Sequence, residues 1–269
     1  RAVPAENPFS GTPMAATVLS GTSGALYYKP AGTLGQFAEA DVDVSGGTFT
    51  VASYLNFKVG DPVKFSVVNT TTGAAGSGTL PNGLTAGTTY YVIAYTKSTG
   101  VLQVSATEGG SSVTIADDGT AVAPNKFQVE YADLAAVGQV REWSFEITRD
   151  ELDVTVIGAT PGQYVPFKTF IAGFADGSGS ATVYFTDTDD TLGNRMIEDV
   201  LQRIQTGARF KLYTDRVFTS GSLDETKSRS IEFEASLTSA NLAINPDDAQ
   251  AVEISFRPTT TPTFDFAKS

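Results

Sequence analysis

The feature that most constrains this chain is a two-residue alternation of apolar and polar side chains in its second half. Trp143, Phe145 and Ile147 alternate with polar residues, and the same pattern returns along 231–237 and 252–256. Because successive side chains of a strand point to opposite faces, each of these segments has one buried and one solvated face. Strands with one wet face are typical of antiparallel sheets. The alternation therefore predicts an antiparallel β protein.

The composition agrees with this fold class and excludes several kinds of active site. Only 18% of the residues are charged and 26 are glycine, which is typical of turn-rich β structure. The chain has no cysteine and no histidine, which excludes thiol nucleophiles, Cys/His metal sites and imidazole proton transfer. A net charge of −12 argues against sequence-specific DNA binding and against binding to anionic membranes. We expect no cofactor, no metal and no membrane insertion.

One segment has the periodicity of a helix rather than of a strand. Its apolar stripe consists of Leu192, Met196, Ile197, Val200, Leu201 and Ile204. This three- and four-residue spacing predicts an amphipathic helix, with Asp189 and Asp190 at its N-terminus and Gly207 at its end. The stripe is expected to pack on the sheet. The side expected in solvent contains Glu198, Asp199, Gln202 and Arg203.

The segment from Gly46 to Pro124 differs from its flanks. It consists of short β segments separated by Gly, Thr, Ser and Asn turns, and its net charge is only −1, with three basic and four acidic residues. Its candidate strands are Val63–Val68, Thr89–Tyr95, Val101–Ser105 and Ser112–Ile115. We predict that 46–125 is a small β-sandwich or barrel domain inserted into a larger β domain made of 1–45 and 126–269. Residues 1–24, which include three prolines, are expected to form an extended arm.

The acidic residues offer weak candidates for chemistry. A hydrolase with two carboxylates is conceivable, but the acidic pairs lie in turns, at helix ends or on wet strand faces, where Asp and Glu are common without a catalytic role. Asp187, Asp189 and Glu198 are spaced somewhat like calcium ligands, yet Leu192 stands where such a loop needs glycine. Helix capping explains the same aspartates. We therefore expect no enzymatic activity.

Two glycine-rich stretches also lack the context of a binding loop. Gly73–Gly78 and Gly177–Gly179 have no lysine placed to hold a phosphate, and neither lies between a strand and a helix. Both are therefore predicted to be hairpin turns.

Several segments together resemble the major tail tube protein of tailed bacteriophages. In chain order they are Leu26–Thr33, Gly138–Glu146, Leu152–Gly158, Phe170–Gly173 and Asp176–Phe185, followed by the helix and a closing strand at Val252–Phe256. The resemblance covers about 1–45 and 126–269. It implies a tail-tube β-sandwich or barrel domain with one helix, assembled as hexameric rings that stack into a hollow tube for DNA.

The resemblance also implies where the protein works and with what. The expected location is the tail tube of a virion, with the tape measure, terminator and distal tail proteins as partners. DNA would pass through without sequence-specific binding. The segment 46–125 resembles small β modules of phage tail proteins and is expected to project outward.

If the chain lines such a channel, the acidic solvated faces of its strands would face the DNA. Carboxylates repel phosphates, so an acidic lumen keeps DNA from binding during passage. The candidate lumen-facing residues are Glu142, Ser144, Glu146, Thr148, Glu232, Glu234, Ser236 and Glu253. An outer solvated face explains these residues equally well. Two loops are candidates for stacking between rings, represented by Gly162, Tyr164, Phe167, Gly221, Asp224 and Lys227.

The alternative function is that of a surface adhesin or receptor-binding tail component, with 46–125 as a module that binds glycans or a cell surface. Tyr90, Tyr91 and Tyr95 could supply aromatic rings for a sugar, but alternation places Tyr90 on the opposite face from the other two. Packing within the module explains these tyrosines better. An adhesin also gives no reason for acidic strand faces.

Overall fold

The computed structural model describes residues 23–138, 140–154, 168, 170–184, 192–243 and 250–266. The described residues are mostly strands with one α-helix, which confirms an all-β fold with a single helix. The strands are β1 (Ala25–Lys29), β2 (Leu34–Phe37), β3 (Val42–Asp43), β4 (Thr48–Thr50), β5 (Pro62–Asn69), β6 (Thr89–Thr96), β7 (Val101–Ser105), β8 (Asn125–Tyr131), β9 (Ala135–Ala136), β10 (Val140–Asp153), β11 (Phe170–Tyr184), β12 (Arg209–Asp215), β13 (Phe218–Thr219), β14 (Ser222–Leu223), β15 (Arg229–Ala243), β16 (Ala251–Pro258) and β17 (Thr263–Asp265). The helix α1 (Leu192–Asp199) lies between β11 and β12. None of the helices in these ranges could span a membrane.

The larger sheet is antiparallel and has eight strands. Its order is β10-β11-β16-β15-β12-β1-β9, and β17 also pairs with β15. The buried face holds stacked aromatic rings: the Phe210 and Phe256 centroids lie 4.5 Å apart, and those of Phe145 and Phe233 lie 4.8 Å apart. The buried positions that alternation predicted along β15 and β16 therefore form one core with β12 and β1.

The stretch Gly177–Gly179 lies inside β11, so the prediction of a hairpin turn there was wrong. Gly179 pairs with Phe145 on one side and with Phe256 on the other. A Cβ atom at Gly179 would come within 2.4 Å of the Phe256 ring. The glycine is needed because a ring crosses the strand at close range, which is a second reason for glycine in a strand besides a turn.

The second sheet has seven strands in the order β2-β8-β5-β6-β7-β4-β3. Its separate core contains four phenylalanines with neighbouring ring centroids 5.3–6.3 Å apart: Phe37, Phe49, Phe65 and Phe127. β5, β6 and β7 lie where the sequence predicts strands, whereas 112–115 contributes only an isolated bridge between Ser105 and Ser112. We refer to 34–131, the span of this sheet, as the seven-stranded unit.

The seven-stranded unit extends beyond the predicted segment 46–125 at both ends. β2 pairs with β8, and β8 pairs with β5 along its whole length. The change in composition therefore marks the turn-rich middle of the unit, because its first and last strands have the same apolar alternation as the rest of the chain. Of the predicted arm 1–24, only residues 23 and 24 are described.

Helix α1 is shorter and more buried than the sequence predicts. Met196 is buried in the core of the eight-stranded sheet, as expected, but the helix ends at Asp199 and Leu201 is 87% exposed. Asp199 was predicted in solvent and is fully buried. The prediction failed for Asp199 because this part of the polar side of α1 faces the seven-stranded unit, whereas Glu198 and Arg203 are exposed as predicted. The proposed capping residues Asp189 and Asp190 lie outside the described residues.

A buried polar cluster joins α1 to the seven-stranded unit. Arg195 forms an ion pair with Asp61 and donates to the main-chain oxygen of Asn56. Asp199 Oδ2 accepts a hydrogen bond from the Tyr28 hydroxyl at 2.6 Å, and its Oδ1 accepts one from Asn56 Nδ2 at 2.6 Å. We call these five residues the junction cluster. Because its members come from both sides, the cluster fixes how the helix and the unit meet.

Burial is the largest cause of the pKa shifts of Asp199, Tyr28 and Tyr131 in and beside the junction cluster. It raises the pKa of the Asp199 carboxyl, against the opposing effect of the Tyr28 hydrogen bond and the Arg195 charge. Burial and the nearby Asp199 carboxylate raise the pKa of the Tyr28 hydroxyl well above its usual value. Burial also raises the pKa of Tyr131, whose ring centroid lies 5.8 Å from the Arg195 guanidinium, to about 12. Arg195 is thus the cation that compensates two buried carboxylates.

Candidate functional site

The polar face of the eight-stranded sheet brings several predicted lumen residues into rows that cross the strands. Directly paired residues of antiparallel strands share a face. Glu142 pairs with Thr182, and Thr182 pairs with Glu253, so the two carboxylates lie on one face with a single strand between them. The Thr182 hydroxyl donates to Glu142 Oε1 at 3.4 Å. The next row contains four serines: Ser144, Ser180, Ser255 and Ser239.

This part of the face is acidic, except at one edge where an aspartate is paired with an arginine. Glu142, Glu146 and Glu253 are exposed, and no ion pair within the described ranges involves any of them. Thr148 pairs with Asp176, whose carboxylate lies 2.5 Å from the Arg257 guanidinium. We call the surface formed by Glu142, Glu146, Glu253 and the serine row the acidic face.

Glu232 and Glu234 lie on β15 away from the acidic face, beside basic residues of β12. Glu232 Oε1 is 3.3 Å from Arg209 Nε, and its Oε2 is 3.7 Å from Lys211 Nζ. Glu234 pairs in register with Arg209. Ser236 is half-buried, and its hydroxyl donates to Gln205 Oε1 at 3.0 Å. Charges of both signs therefore alternate on this half of the sheet.

Sequence reasoning missed the contribution of β11 to the acidic face. Ser178, Ser180 and Thr182 point to the same side as Ser144, but the glycines between them were interpreted as a turn. The signal was present: small polar residues alternate with Gly, Ala and Val up to Tyr184, which is the two-residue period of a strand. The basic residues Arg209 and Lys211 likewise alternate with apolar ones along β12.

The distal half of the β10–β11 hairpin projects beyond the rest of the sheet. β16 pairs with β11 only from Gly179 onward, so 170–178 has β10 as its one partner strand. In the described structure, no strand pairs with the outer edge of β10. Apolar side chains are exposed along this ribbon: Ile147 (48%), Leu152 (59%), Phe170 (50%), Ile171 (56%) and Phe174 (87%). We call these five residues the hairpin patch.

The hairpin patch explains one deviation from the predicted alternation. Ile147 was expected to be buried with Phe145, but the sheet core ends at the level of Phe145 because β16 does not reach further along β11. Leu152 and Ile171 pair directly and so share one face. Large exposed apolar patches on water-soluble proteins commonly mark interaction sites, and long unpaired edges add strands from other chains.

The candidate stacking residues lie in two places. Gly162, Tyr164 and Phe167 lie between β10 and β11, outside the described residues. Gly221 occupies the turn between β13 and β14 with φ of +84°, and Asp224 and Lys227 follow the turn.

Asp224 holds its own loop together. Its carboxylate accepts hydrogen bonds from the hydroxyls of Thr226 at 2.6 Å and Thr219 at 2.8 Å, and Lys227 Nζ lies 3.2 Å away. These contacts, the Thr226 bond first, lower the pKa of Asp224. The loop is thus internally ordered and presents Phe218, which is 56% exposed, at its base.

Other features of the described residues bear on the alternative functions. A cavity of about 400 Å³ between the starts of β1 and β10 is lined by one carboxylate, that of Glu142. No group of three or more acidic side chains in the described ranges could hold a metal ion. Tyr90 is buried, and the Tyr95 hydroxyl donates to the Ala52 main-chain oxygen at 3.0 Å. Tyr90, Tyr91 and Tyr95 therefore do not form an exposed aromatic platform.

Comparison with known proteins finds distant structural neighbours, two of which come from gene transfer agent particles. No protein family model matches the chain, and no curated protein matches it. A chain from the virion of a native gene transfer agent particle aligns with 49% of this chain and 89% of its own length, at 13% identity and a TM-score of 0.37. A chain from the tail of an empty gene transfer agent particle with C6 symmetry aligns with 49% of this chain and 87% of its own length, at 13% identity and a TM-score of 0.35. These scores are too low to assign a function by likeness.

Proposed function

We propose that this protein is a structural subunit of a phage-type tail tube, which acts by self-assembly and not as an enzyme. Copies of the chain form rings, six-membered according to the family resemblance, and the rings stack into a hollow tube within a virion. The acidic face lines the channel through which DNA passes without sequence-specific binding. Tape measure, terminator and distal tail proteins are the proposed partners, and no cofactor is required.

The observation that carries this proposal is the projecting β10–β11 ribbon. It combines the outer edge of β10, a 14-residue strand with no partner strand there in the described ranges, with the five exposed apolar side chains of the hairpin patch, which lie on both faces of the ribbon. A two-stranded ribbon of this length has too little packing to be stable by itself in water. A neighbouring copy that adds a strand to β10 and covers the patch would satisfy both its hydrogen bonds and its apolar surface.

The charge distribution supports a channel-facing role for the acidic face. Glu142, Glu146 and Glu253 have no basic partner within the described ranges, so their charges are available to repel phosphates. Hydroxyls of the serine row keep the surface between them hydrated. Glu232 and Glu234 contribute less to such a field because Arg209 and Lys211 balance them.

The position of α1 supports an outer location for the seven-stranded unit. α1 packs on the buried side of the sheet, opposite the acidic face, through Met196. The unit contacts the other side of α1 through the junction cluster. If the acidic face lines the channel, the layers from inside to outside are sheet, helix and unit.

Electron microscopy of concentrated protein, together with light scattering, tests self-assembly. We expect hollow tubes or rings. Phe174→Asp should abolish them while leaving the fold intact, because Phe174 is 87% exposed and belongs to the hairpin patch. Leu201→Asp is the matched control, because Leu201 is also 87% exposed but lies outside the patch. Protein that stays monomeric at every concentration, or equal effects of the two substitutions, would refute the proposed interface.

Charge reversal tests the lumen separately from assembly. Glu142→Lys combined with Glu253→Lys should still give tubes, but these tubes should retain DNA at low salt, because binding to phosphates depends on basic charge. Glu108→Lys combined with Asp118→Lys, both at exposed positions outside the strands of the seven-stranded unit, is the control because it changes the net charge by the same amount. If the control retains as much DNA as the Glu142 and Glu253 double variant, the acidic face does not line the channel.

A further inference from the structure

The side chains of Lys97, Asn56 and Asp199 form a reactive arrangement that the proposed tube function does not use. We propose that Lys97 and Asn56 join covalently through an isopeptide bond, with Asp199 as the acid–base group of the reaction. A primary amine is the nucleophile, a side-chain carboxamide is the electrophile, and ammonia is the leaving group. This modification is independent of assembly and of the lumen.

The three groups are already in contact in the correct order. Lys97 Nζ lies 3.2 Å from Asn56 Oδ1, and Asn56 Nδ2 lies 2.6 Å from Asp199 Oδ1. An ammonium group only donates hydrogen bonds and a carboxylate only accepts them, so the two partners fix the orientation of the amide between them. The nucleophile therefore lies at the carbonyl end and the acid–base group lies at the end that leaves.

Burial holds the electrophile and the acid–base group in place. Asn56 is 6% exposed and Asp199 is fully buried, and both belong to the junction cluster. The main-chain oxygen of Asn56 accepts a bond from Arg195, and Asp199 also accepts one from the Tyr28 hydroxyl at 2.6 Å. Held groups react with a high effective concentration because their translational entropy is already lost.

The step balances without an oxidant, a reductant or a cofactor. Lys97, once it has lost a proton to water, attacks the Asn56 side-chain carbon through Nζ, and the carbonyl π electrons move to Oδ1. The Asp199 carboxylate takes the second proton from Nζ of the adduct and passes it to Nδ2. The electron pair on Oδ1 then re-forms the carbonyl while the C–N bond to Nδ2 breaks, and the released ammonia takes up the proton that Lys97 first lost to water. One ammonium ion leaves for each ammonium group consumed, so charge is conserved.

The protonation states suit a slow, spontaneous reaction. Lys97 is exposed, so water can take up the proton that Nζ loses before it attacks. Burial raises the pKa of Asp199, which makes its carboxylate a stronger base for the proton that it takes from Nζ, while the Arg195 charge opposes this effect. We expect the bond to form more quickly as pH rises, because only a deprotonated amine is a nucleophile.

The bond would link two separate segments of the seven-stranded unit. Asn56 lies in the loop before β5 that carries the junction contacts, and Lys97 lies in the turn between β6 and β7, 41 residues later. A cross-link between them closes a loop that otherwise opens on unfolding, as a disulfide does in chains that contain cysteine. It would also hold Asn56 against α1.

Intact mass spectrometry of the purified full chain tests the proposal. We expect a mass about 17 Da below the sequence value, the loss of one ammonia, and a branched peptide that joins the Lys97 and Asn56 fragments after proteolysis. Lys97→Arg should restore the full mass, because arginine keeps the charge but does not act as a nucleophile. Lys58→Arg, in the neighbouring ion pair with Glu198, is the control and should retain the deficit.

Two results would overturn the isopeptide bond, and one further variant tests the role of Asp199. A full sequence mass in protein incubated for days at about pH 7 and at about pH 9 would overturn the proposal, because the higher pH favours the neutral amine that attacks. A deficit that persists in Lys97→Arg would also overturn it and would point to succinimide formation at Asn82-Gly83, which releases ammonia too. Asp199→Asn, with folding checked by circular dichroism, should slow formation of the bond if Asp199 delivers the proton.

Discussion

Replacing Arg195 with methionine should destabilise the protein more than any equivalent change on its surface. Arg195 and Asp61 are 6% and 8% exposed, and Asp199 beside them is fully buried. Methionine fills a similar volume but leaves two buried carboxylates without a cation. Breaking a buried pair in this way costs about 3–5 kcal/mol in the free energy of unfolding. Urea unfolding followed by fluorescence of Trp143 and by circular dichroism measures the change.

Arg257→Met is the matched control for this prediction. Arg257 pairs with Asp176 at 2.5 Å, but the two side chains are 58% and 60% exposed. Exposed pairs contribute about 0–1 kcal/mol, so the same substitution should change the free energy of unfolding little. Burial, not the presence of an ion pair, is thus the variable that distinguishes the two variants.

The pH dependence gives a second check on the same reasoning. Without Arg195, the pKa of Asp199 in the folded state should rise further above its unfolded value. A carboxyl with a raised folded pKa stabilises the protein below its unfolded pKa, and this stability is lost as pH rises through the folded pKa. The loss of unfolding free energy caused by Arg195→Met should therefore be larger at about pH 7 than at about pH 5. A loss of unfolding free energy below about 1 kcal/mol, or a loss that is equal at both pH values, would refute the conclusion that Arg195 compensates the buried carboxylates.

Three further predictions concern stability. Gly179→Ala should cost about 1–3 kcal/mol in urea unfolding because its Cβ would overlap a ring at 2.4 Å, whereas Gly138→Ala, with open space around it, should be nearly neutral; equal effects would contradict the close approach. Tyr28→Phe should cost about 1–3 kcal/mol because its hydroxyl bonds a buried carboxylate, while Tyr91→Phe, on a half-buried strand position, should cost less. Spectrophotometric titration should show Tyr131 ionising at about pH 12 in the folded chain. The free energy of unfolding should then fall from about pH 10 upward, because the unfolded tyrosine ionises first. Ionisation of folded Tyr131 near the usual pKa of tyrosine would contradict its burial.

The sequence predicted those strands whose buried and exposed positions depend only on their own residues. Alternation along β15 and β16 places Phe233 and Phe256 inside, and both are buried. Each strand is decided by its own residues, because the two-residue period follows from backbone geometry alone. The same rule placed Glu142, Ser144 and Glu146 correctly on the solvated side of β10.

Properties that depend on distant segments were not predictable from one strand. The charge of Glu232 is balanced by Arg209 and Lys211 on β12, and only the register of β12 against β15 brings them together. Gly179 was taken for a turn because its requirement comes from Phe256 on another strand. The edges of the seven-stranded unit were missed for the same reason: β2 belongs to it through its pairing with β8.

The error on the polar side of α1 has a different origin and bears on how the unit is held. An amphipathic pattern shows which side of a helix is polar, but it does not distinguish water from a polar protein surface. A buried ionic contact adds little net stability compared with apolar packing, because removing both charges from water is costly. What it adds is directional: Arg195 reaches Asp61, and Asp199 reaches Asn56, only in one arrangement of helix and unit. In the proposed tube, a unit fixed in one arrangement would give every ring the same outer surface. The polarity of α1 around Arg195 and Asp199 is therefore better explained by docking than by solvation.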